Sequence, residues 1–320
     1  MSIPILSTKF FIPTSRSTVV PRIQLIDRIQ RGLSRRLTLI SAPAGFGKTT
    51  LLADCVGKIK EPVGWISLDE QDNDKVRFLK YFINAIQQIE KGIGDNSLLA
   101  LQSQQPLETE ILVTGLINDI ADIDHPFVVV LDDYHVITDT EIQQILLFLL
   151  DNQPPQMHMV ISSRADPPWP LARLRARGEI EEIRIQDLRF TLDEVAILLN
   201  EIMGFTLSSK DLAALEKRTE GWVAGLQMAA IALQNQQDKA SYIQAFTGSH
   251  RYIFDYLMEE VLNSVPDDAR EFLLRTSILD QFNGSLCDFV IERKNGDCTV
   301  HFFFPRKKPS SESYLSLEYL

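Results

Sequence analysis

The sequence predicts an α/β fold, a parallel sheet with flanking helices, followed by a smaller helical part. Three observations carry this. The stretch Ala42-Pro43-Ala44-Gly45-Phe46-Gly47-Lys48-Thr49-Thr50 sits between an apolar run, Leu37–Ile40, and a helix-forming run, Leu51–Asp54. A second apolar run, Phe127–Leu131, ends in the carboxylate pair Asp132-Asp133. From Thr191 onward, alternating strand and helix patterns give way to helix upon helix.

The first stretch departs from G-x-x-x-x-G-K-[ST] only in starting with Ala42, the smallest residue after glycine. Strand, glycine-rich turn and helix is the context in which backbone N–H groups wrap phosphates. Gly45 and Gly47 let the backbone curl, and the helix start points unpaired N–H groups at an anion. Lys48 is positioned to reach the β/γ-phosphates, Thr49 to offer a hydroxyl to Mg²⁺.

The 320 residues are enough for two or three domains. Composition is 45% apolar and 23% charged, and the net charge is -11. An acidic chain lacks the Lys/Arg excess of a general nucleic-acid binder, so no direct DNA binding is expected. Cys55, Cys287 and Cys298 have no paired spacing, which gives neither a disulfide framework nor a zinc site. No basic-then-apolar leader and no run of 18 or more apolar residues is visible. A cytoplasmic setting away from membranes is the expectation.

Pro4 and Pro13 interrupt regular structure in residues 1–18. Leu25, Ile26, Ile29 and Leu33 recur at helical spacing after Pro21, a helix packed beside the sheet or a lid near the base. Leu37–Ser41 is the first core strand, and the next helix runs to about Val56. Val63–Leu68 is the second strand. The acidic run Asp69–Asp74 after it orients magnesium or water, or is a solvated loop, the commoner case. Phe78, Leu79, Phe82, Ile83 and Ile86 form a helical stripe. Residues 91–108 read as a loop with a short helix, and Ile111–Ile120 as a helix ended by His125-Pro126.

Phe127–Leu131 reads as a buried parallel strand. Asp132 is assigned to magnesium and Asp133 to water activation, as metal carboxylate and general base. Neighbours on a strand face opposite sides, so both roles require the strand to have ended there. His135 is a loop histidine or a water partner. After the helix Ile142–Leu150, the strand Met157–Ser163 carries Ser162, Ser163 and Arg164 to the sheet edge where ligands bind. Arg164 is a candidate γ-phosphate sensor, and His158 is a packed histidine. Arg173, Arg175 and Arg177 make the one basic turn, suited to a phosphate or a partner, and Ile180–Ile185 is the last strand.

Thr191 and Glu194 form a capping box. Helical stripes follow through Leu212 and Leu215, Val223 to Ile231, Tyr252 to Leu262, and Pro266 to Leu274, with a break between about 235 and 250. Cys298–Phe304 reads as a strand ahead of a polar, proline-bearing tail.

These residues resemble the ATPase core of the MalT-like regulators, within the signal-transduction ATPases with numerous domains (STAND). The matching motifs are Val20-Pro21-Arg22, Ala42–Thr50, Leu131–His135, Ser162–Pro168, Pro170–Glu179 and Glu220–Gln227. The resemblance covers roughly residues 5–280. It implies a P-loop nucleotide-binding domain at 1–188, a helical domain at 189–245 and an incomplete or divergent winged-helix domain at 246–320. It implies ATP or ADP with Mg²⁺ as cofactors, and slow hydrolysis serving regulation. Val20 and Arg22 would meet adenine or ribose. Gly45, Phe46, Gly47, Lys48, Thr49 and Thr50 would hold the nucleotide, with Thr49 and Asp132 at the metal. Asp133 would serve hydrolysis and Arg164 would read the γ-phosphate. The ATP-bound form would self-associate. After about Asp280, Asn283–Val300 begins the winged-helix region and the likeness then stops, without a repeat sensor or a LuxR-type helix-turn-helix. The chain reads as a fragment, a prematurely ended product or a compact variant. Two other readings remain: a phosphoryl-transfer enzyme such as a small-molecule kinase, for which no substrate motif is visible, and a non-hydrolysing nucleotide-bound interaction module.

Overall fold

Five parallel strands carry the first half of the chain: β1 (Leu37–Ser41), β2 (Val63–Ser67), β3 (Phe127–Asp132), β4 (Met157–Ser163) and β5 (Ile180–Arg184). Their order is β2-β3-β4-β1-β5. The computed structural model describes residues 5–14, 19–103, 108–234, 236 and 238–245, with the short pieces 270–271, 274–275, 281–282 and 315–316. It divides into two units, Met1–Phe246 and Thr247–Leu320.

Every residue of β1, β3 and β4 is buried, and β3 reads as an unbroken apolar run up to Asp132. Alternation along each strand sends side chains to two separate cores. Leu37, Leu39, Val129, Leu131, Met159 and Ile161 face one core. It is covered by α3 (Lys75–Gln87), α5 (Thr109–Ala121) and α6 (Thr140–Asp151). Ile40, Val128, Val130 and Val160 face the other, covered by α1 (Ile23–Gly32) and α2 (Lys48–Val56). The same parity puts Asp132 on the α2 side. In register, Ser41 lies opposite Ser163 and Ser67 opposite Asp132, so the loops that leave these strands share one edge.

The stretch 91–108 holds α4 (Asp95–Gln102). The acidic run after β2 is not a solvated loop. Asp69 caps a 3-10 turn, Glu70–Asn73, and Asp72 is fully buried. Asp72 pairs with Lys9 and, at 3.1 Å, with Arg77 Nε, while Lys9 also lies 2.8 Å from Asp69. The run thus anchors the N-terminal turn Ser7–Phe10, whose Phe10 packs on Tyr81. The basic turn is also committed locally. In α7 (Leu171–Arg177), Arg173 pairs with Asp151 and Arg175 with Glu182. His158 is a packed histidine: Nε2 is 3.0 Å from Thr38 Oγ1, and Nδ1 is 2.7 Å from Arg35 O.

A short α8 (Ile185–Leu188) leads to the helical part. The capping box forms as expected: Glu194 N donates to Thr191 Oγ1, and Thr191 N to the Glu194 carboxylate at 2.9 Å. α9 (Leu192–Ala196) runs into a π-helical turn, Ile197–Ile202. Then come α10 (Ser209–Thr219), α11 (Val223–Leu233) and α12 (Lys239–Ala245). The last occupies part of the expected break, and its Ile243 is buried. Among the described residues no helix is long and apolar enough to cross a membrane.

In the second unit, Gln281–Phe282 pairs antiparallel with Leu315–Ser316, and Arg270–Glu271 and Leu274–Arg275 are helical. The helix expected at Tyr252–Leu262, the strand expected at Cys298–Phe304 and the polar stretch that follows lie outside the described residues.

A candidate nucleotide site at the sheet edge

β1 ends at Ser41 and the chain turns through Ala42–Gly47 into α2. Gly45 and Gly47 hold φ of 78° and 76°, left-handed values that disfavour a Cβ. Gly47 is the N-cap of α2. Ala42 needs no glycine. Its N–H donates to Ser163 O at 3.2 Å, extending the sheet, and its φ is not positive. That is the physical reason the first glycine of the pattern is dispensable here.

Three successive carbonyls of the loop have partners. Lys48 Nζ donates to Pro43 O at 3.0 Å, Trp222 Nε1 to Ala44 O at 3.1 Å and Ala224 N to Gly45 O at 3.1 Å. The last two donors come from the start of α11. The site is therefore built by two parts of the chain, one 178 positions beyond the other.

Two carboxylates close it. Asp132 is 2% exposed and accepts from Thr49 Oγ1 at 3.2 Å. Burial and the neighbouring Asp133 raise its pKa, opposed by the Ser162 and Thr49 hydroxyls. The strand ends at Asp132, and Asp133 turns out of it with φ 59°, which breaks the alternation as two roles would require. Lys48 is 7% exposed, and burial lowers its pKa; Arg164 acts in the same direction, against Asp133 and Asp132. His135 Nδ1 lies 3.8 Å from Asp133 Oδ1, yet burial and the charge of Arg164 press the imidazole down to about 4. His135 is thus a neutral ring at pH 7. Arg164 lies within electrostatic reach of both Lys48 and His135, at the edge expected for it.

A hydroxyl and a buried carboxylate 3.2 Å apart are hard oxygen donors of the kind that hold Mg²⁺, which takes one or two protein oxygens and completes its shell with water and phosphate. The residues fit that ion. No group of three or more His, Cys, Asp or Glu side chains that could hold a metal occurs among the described residues.

Beside the loop opens a cavity of about 550 Å³, in the range of small-molecule sites. Val20, Arg22, Phe46, Gly47, Thr49 and Thr50 all line it; Gly45, Lys48, Asp132, Asp133 and Arg164 do not. Arg22 reaches the wall, but its guanidinium is engaged elsewhere. It donates to Asp187 O at 2.7 Å and Leu188 O at 2.8 Å, stands 2.9 Å from Glu194 Oε1, and lies 5.0 Å over the Phe190 ring. It fastens the segment before α1 to the entry of the helical part.

Several wall residues escaped sequence reasoning: Phe190, Leu198, Ile202, Met203 and Gln227, together with the loop partner Trp222. Two glycines were the available signal. A Cβ on Gly221, whose φ is 70°, would stand 2.5 Å from Phe190 O, and one on Gly225 would stand 2.6 Å from the Trp222 ring. Glycine on both sides of a tryptophan marks a ring pressed against backbone.

Comparison with known proteins decides the family-level reading. Residues 16–162 match the AAA ATPase domain, and residues 258–301 match the MalT winged helix domain. This chain joins an AAA/STAND-type ATPase domain to a MalT-like winged helix. Over 296 residues it is 33% identical to the serine/threonine-protein kinase PknK of Mycobacterium tuberculosis, covering 92% of this chain and 27% of that protein. Over 296 residues it is also 33% identical to the HTH-type transcriptional regulator MalT of Yersinia enterocolitica, covering 91% of this chain and 32% of the regulator. The chain therefore spans a third or less of the length of these relatives. A Walker-type ATPase of Pyrococcus abyssi shares the fold, with a TM-score of 0.55 at 13% identity, over 88% of this chain and 86% of that one. The first part is thus an ATP-binding domain related to signal-transduction ATPases and MalT-like regulators.

The winged-helix match overturns one expectation. A winged helix is a DNA-binding module, so the absence of direct DNA contact inferred from acidity does not stand. The net charge of -11 is a sum over the whole chain and does not constrain the charge of one face. The matched residues lie almost wholly outside those the structure describes.

Proposed function

We propose that this chain is the nucleotide-operated core of a signalling switch of the MalT-like kind, which binds ATP or ADP and hydrolyses ATP slowly. The observation that supports it is the make-up of the cavity wall. Gly47, Thr49 and Thr50 contribute from the loop and α2, and Leu198, Ile202, Val223 and Gln227 from the helical part. A nucleotide lying between them changes the free energy of holding the two together, and a ligand moves a population only by such a difference.

The parts are a nucleotide-binding domain at 1–188, a helical domain at 189–245 and a winged-helix domain at 246–320. Lys48 and the loop amides hold the phosphates. Thr49 and Asp132 would hold Mg²⁺, which would supply neutralisation of phosphate charge. Asp133 orients the attacking water. Val20 and Phe46 pack on the nucleoside, and the ATP-bound form self-associates.

The test is the nucleotide that copurifies with gently isolated protein, released by denaturation and resolved by ion-exchange chromatography. Stoichiometric, slowly exchanging ADP is the expected result. An empty site that turns ATP over freely would mean an ordinary ATPase. Arg164→Ala is expected to blunt discrimination between ATP and ADP by roughly tenfold, the scale of one charge-assisted contact to the γ-phosphate. Titration of both nucleotides into the variant checks this, and undiminished discrimination removes Arg164 as sensor.

A further inference from the structure

Trp222 and Ala224 stand outside the phosphate loop, yet they decide which way its peptides face. A trans peptide is planar, with the C=O of one residue and the N–H of the next pointing in opposite directions. Trp222 Nε1–H draws the Ala44 carbonyl toward the helical part at 3.1 Å, so the Gly45 N–H must point away from it. Ala224 N–H does the same to the Gly45 carbonyl at 3.1 Å and so aims the Phe46 N–H. Those two N–H groups belong to the residues that lead into Gly47 and the start of α2, the kind of backbone that suits an anion.

The clamp answers a weakness of the loop. Gly45 sits at φ 78°, and glycine takes positive and negative φ about equally well. The 44–45 peptide can therefore turn over at little cost, carrying an N–H out of the cradle and a carbonyl oxygen into it. The indole is itself held fast, with Gly225 leaving room for its ring and Gly221 bringing the turn onto Phe190.

We propose that Trp222 is a positioning residue for phosphate binding. Its indole N–H keeps the 44–45 peptide facing the phosphates, so docking of the helical part and tight binding of a nucleoside di- or triphosphate are one coupled event. By reciprocity, the phosphates strengthen that docking as much as the docking strengthens phosphate binding. This rests on the phosphate-loop reading above and adds to it a residue that touches no phosphate.

The experiment compares the full chain with Trp222→Phe, which keeps an aromatic ring and removes the N–H. ADP, ATP and AMP are titrated calorimetrically, and each protein is melted without nucleotide. The expected result is about tenfold weaker ADP and ATP, a change of about 1.4 kcal/mol, with AMP nearly unchanged and the melting temperature preserved. Equal weakening of all three nucleotides, together with a lower melting temperature, would mean a merely structural ring and would overturn the proposal. Unchanged ADP and ATP affinity would overturn it too. Wild-type protein that binds none of the three would overturn the phosphate-loop reading itself, a failure distinct from the other two. A Trp222→Phe crystal structure with ADP gives a second readout, in which an unflipped 44–45 peptide alongside weakened binding would also count against it.

Discussion

Lys48→Ala is expected to weaken ATP and ADP binding by roughly 100-fold or more, with little loss of thermal stability in the absence of nucleotide. Lys48 is 7% exposed, and the partner observed for its ammonium group is the Pro43 carbonyl at 3.0 Å. Burial disfavours its charge, and Arg164 adds to that, while Asp133 and Asp132 favour it. Without a ligand, then, burial and Arg164 work against the charge of this lysine, so its removal is expected to cost little stability. With a nucleotide bound it gains phosphate oxygens. Hydrogen bonds to charged groups contribute about 1.5–3 kcal/mol each, so two such contacts give the stated loss of affinity. Calorimetric titration of ADP into the variant measures it. Retained tight binding would falsify the phosphate-loop assignment, and with it the proposed role of Trp222. A large drop in melting temperature without nucleotide would mean instead that Lys48 is a structural cation.

Features encoded locally were legible in the sequence. β1 at Leu37–Ser41 and α2 ending at Val56 have the expected bounds, because a buried run and the glycine-rich turn after it are readable from a few residues. The Thr191–Glu194 capping box was equally local. Pairings across long distances in the sequence were not legible. Nothing near Asp72 signals that its partner is Lys9, so six polar residues read as a solvated loop when one of them is a buried anchor. Arg22 could be placed near the nucleotide, but its carbonyl partners lie about 165 positions away and leave no periodic trace. Trp222 stood in a motif that matched, without any sign that its N–H would end on the Ala44 carbonyl. What sequence patterns miss here is which groups of the helical part meet the loop, the Trp222 indole N–H and the Ala224 amide.

Asp133→Asn is expected to leave ATP bound and to slow its hydrolysis by about 10²–10⁴-fold, the usual weight of a general base. Asparagine is the informative replacement. Asp133 holds φ 59°, where Asn is tolerated and alanine would be strained, so the turn survives and the chemistry alone changes. The side chain is 45% exposed and can meet water, whereas Asp132, at 2%, is turned toward α2 and Thr49. His135 does not compete for it. A ring whose pKa is pressed down to about 4 carries no charge at pH 7, so at 3.8 Å it forms no ion pair with Asp133. The variant also removes a negative charge from the neighbourhood of Lys48, so ATP affinity should rise slightly rather than fall. Single-turnover hydrolysis of labelled ATP and equilibrium binding together give both numbers. Slower hydrolysis with equal or tighter binding assigns the base to Asp133. Unchanged turnover removes Asp133 as the base, and weaker binding with unchanged turnover would place Asp133 among the groups that hold the nucleotide.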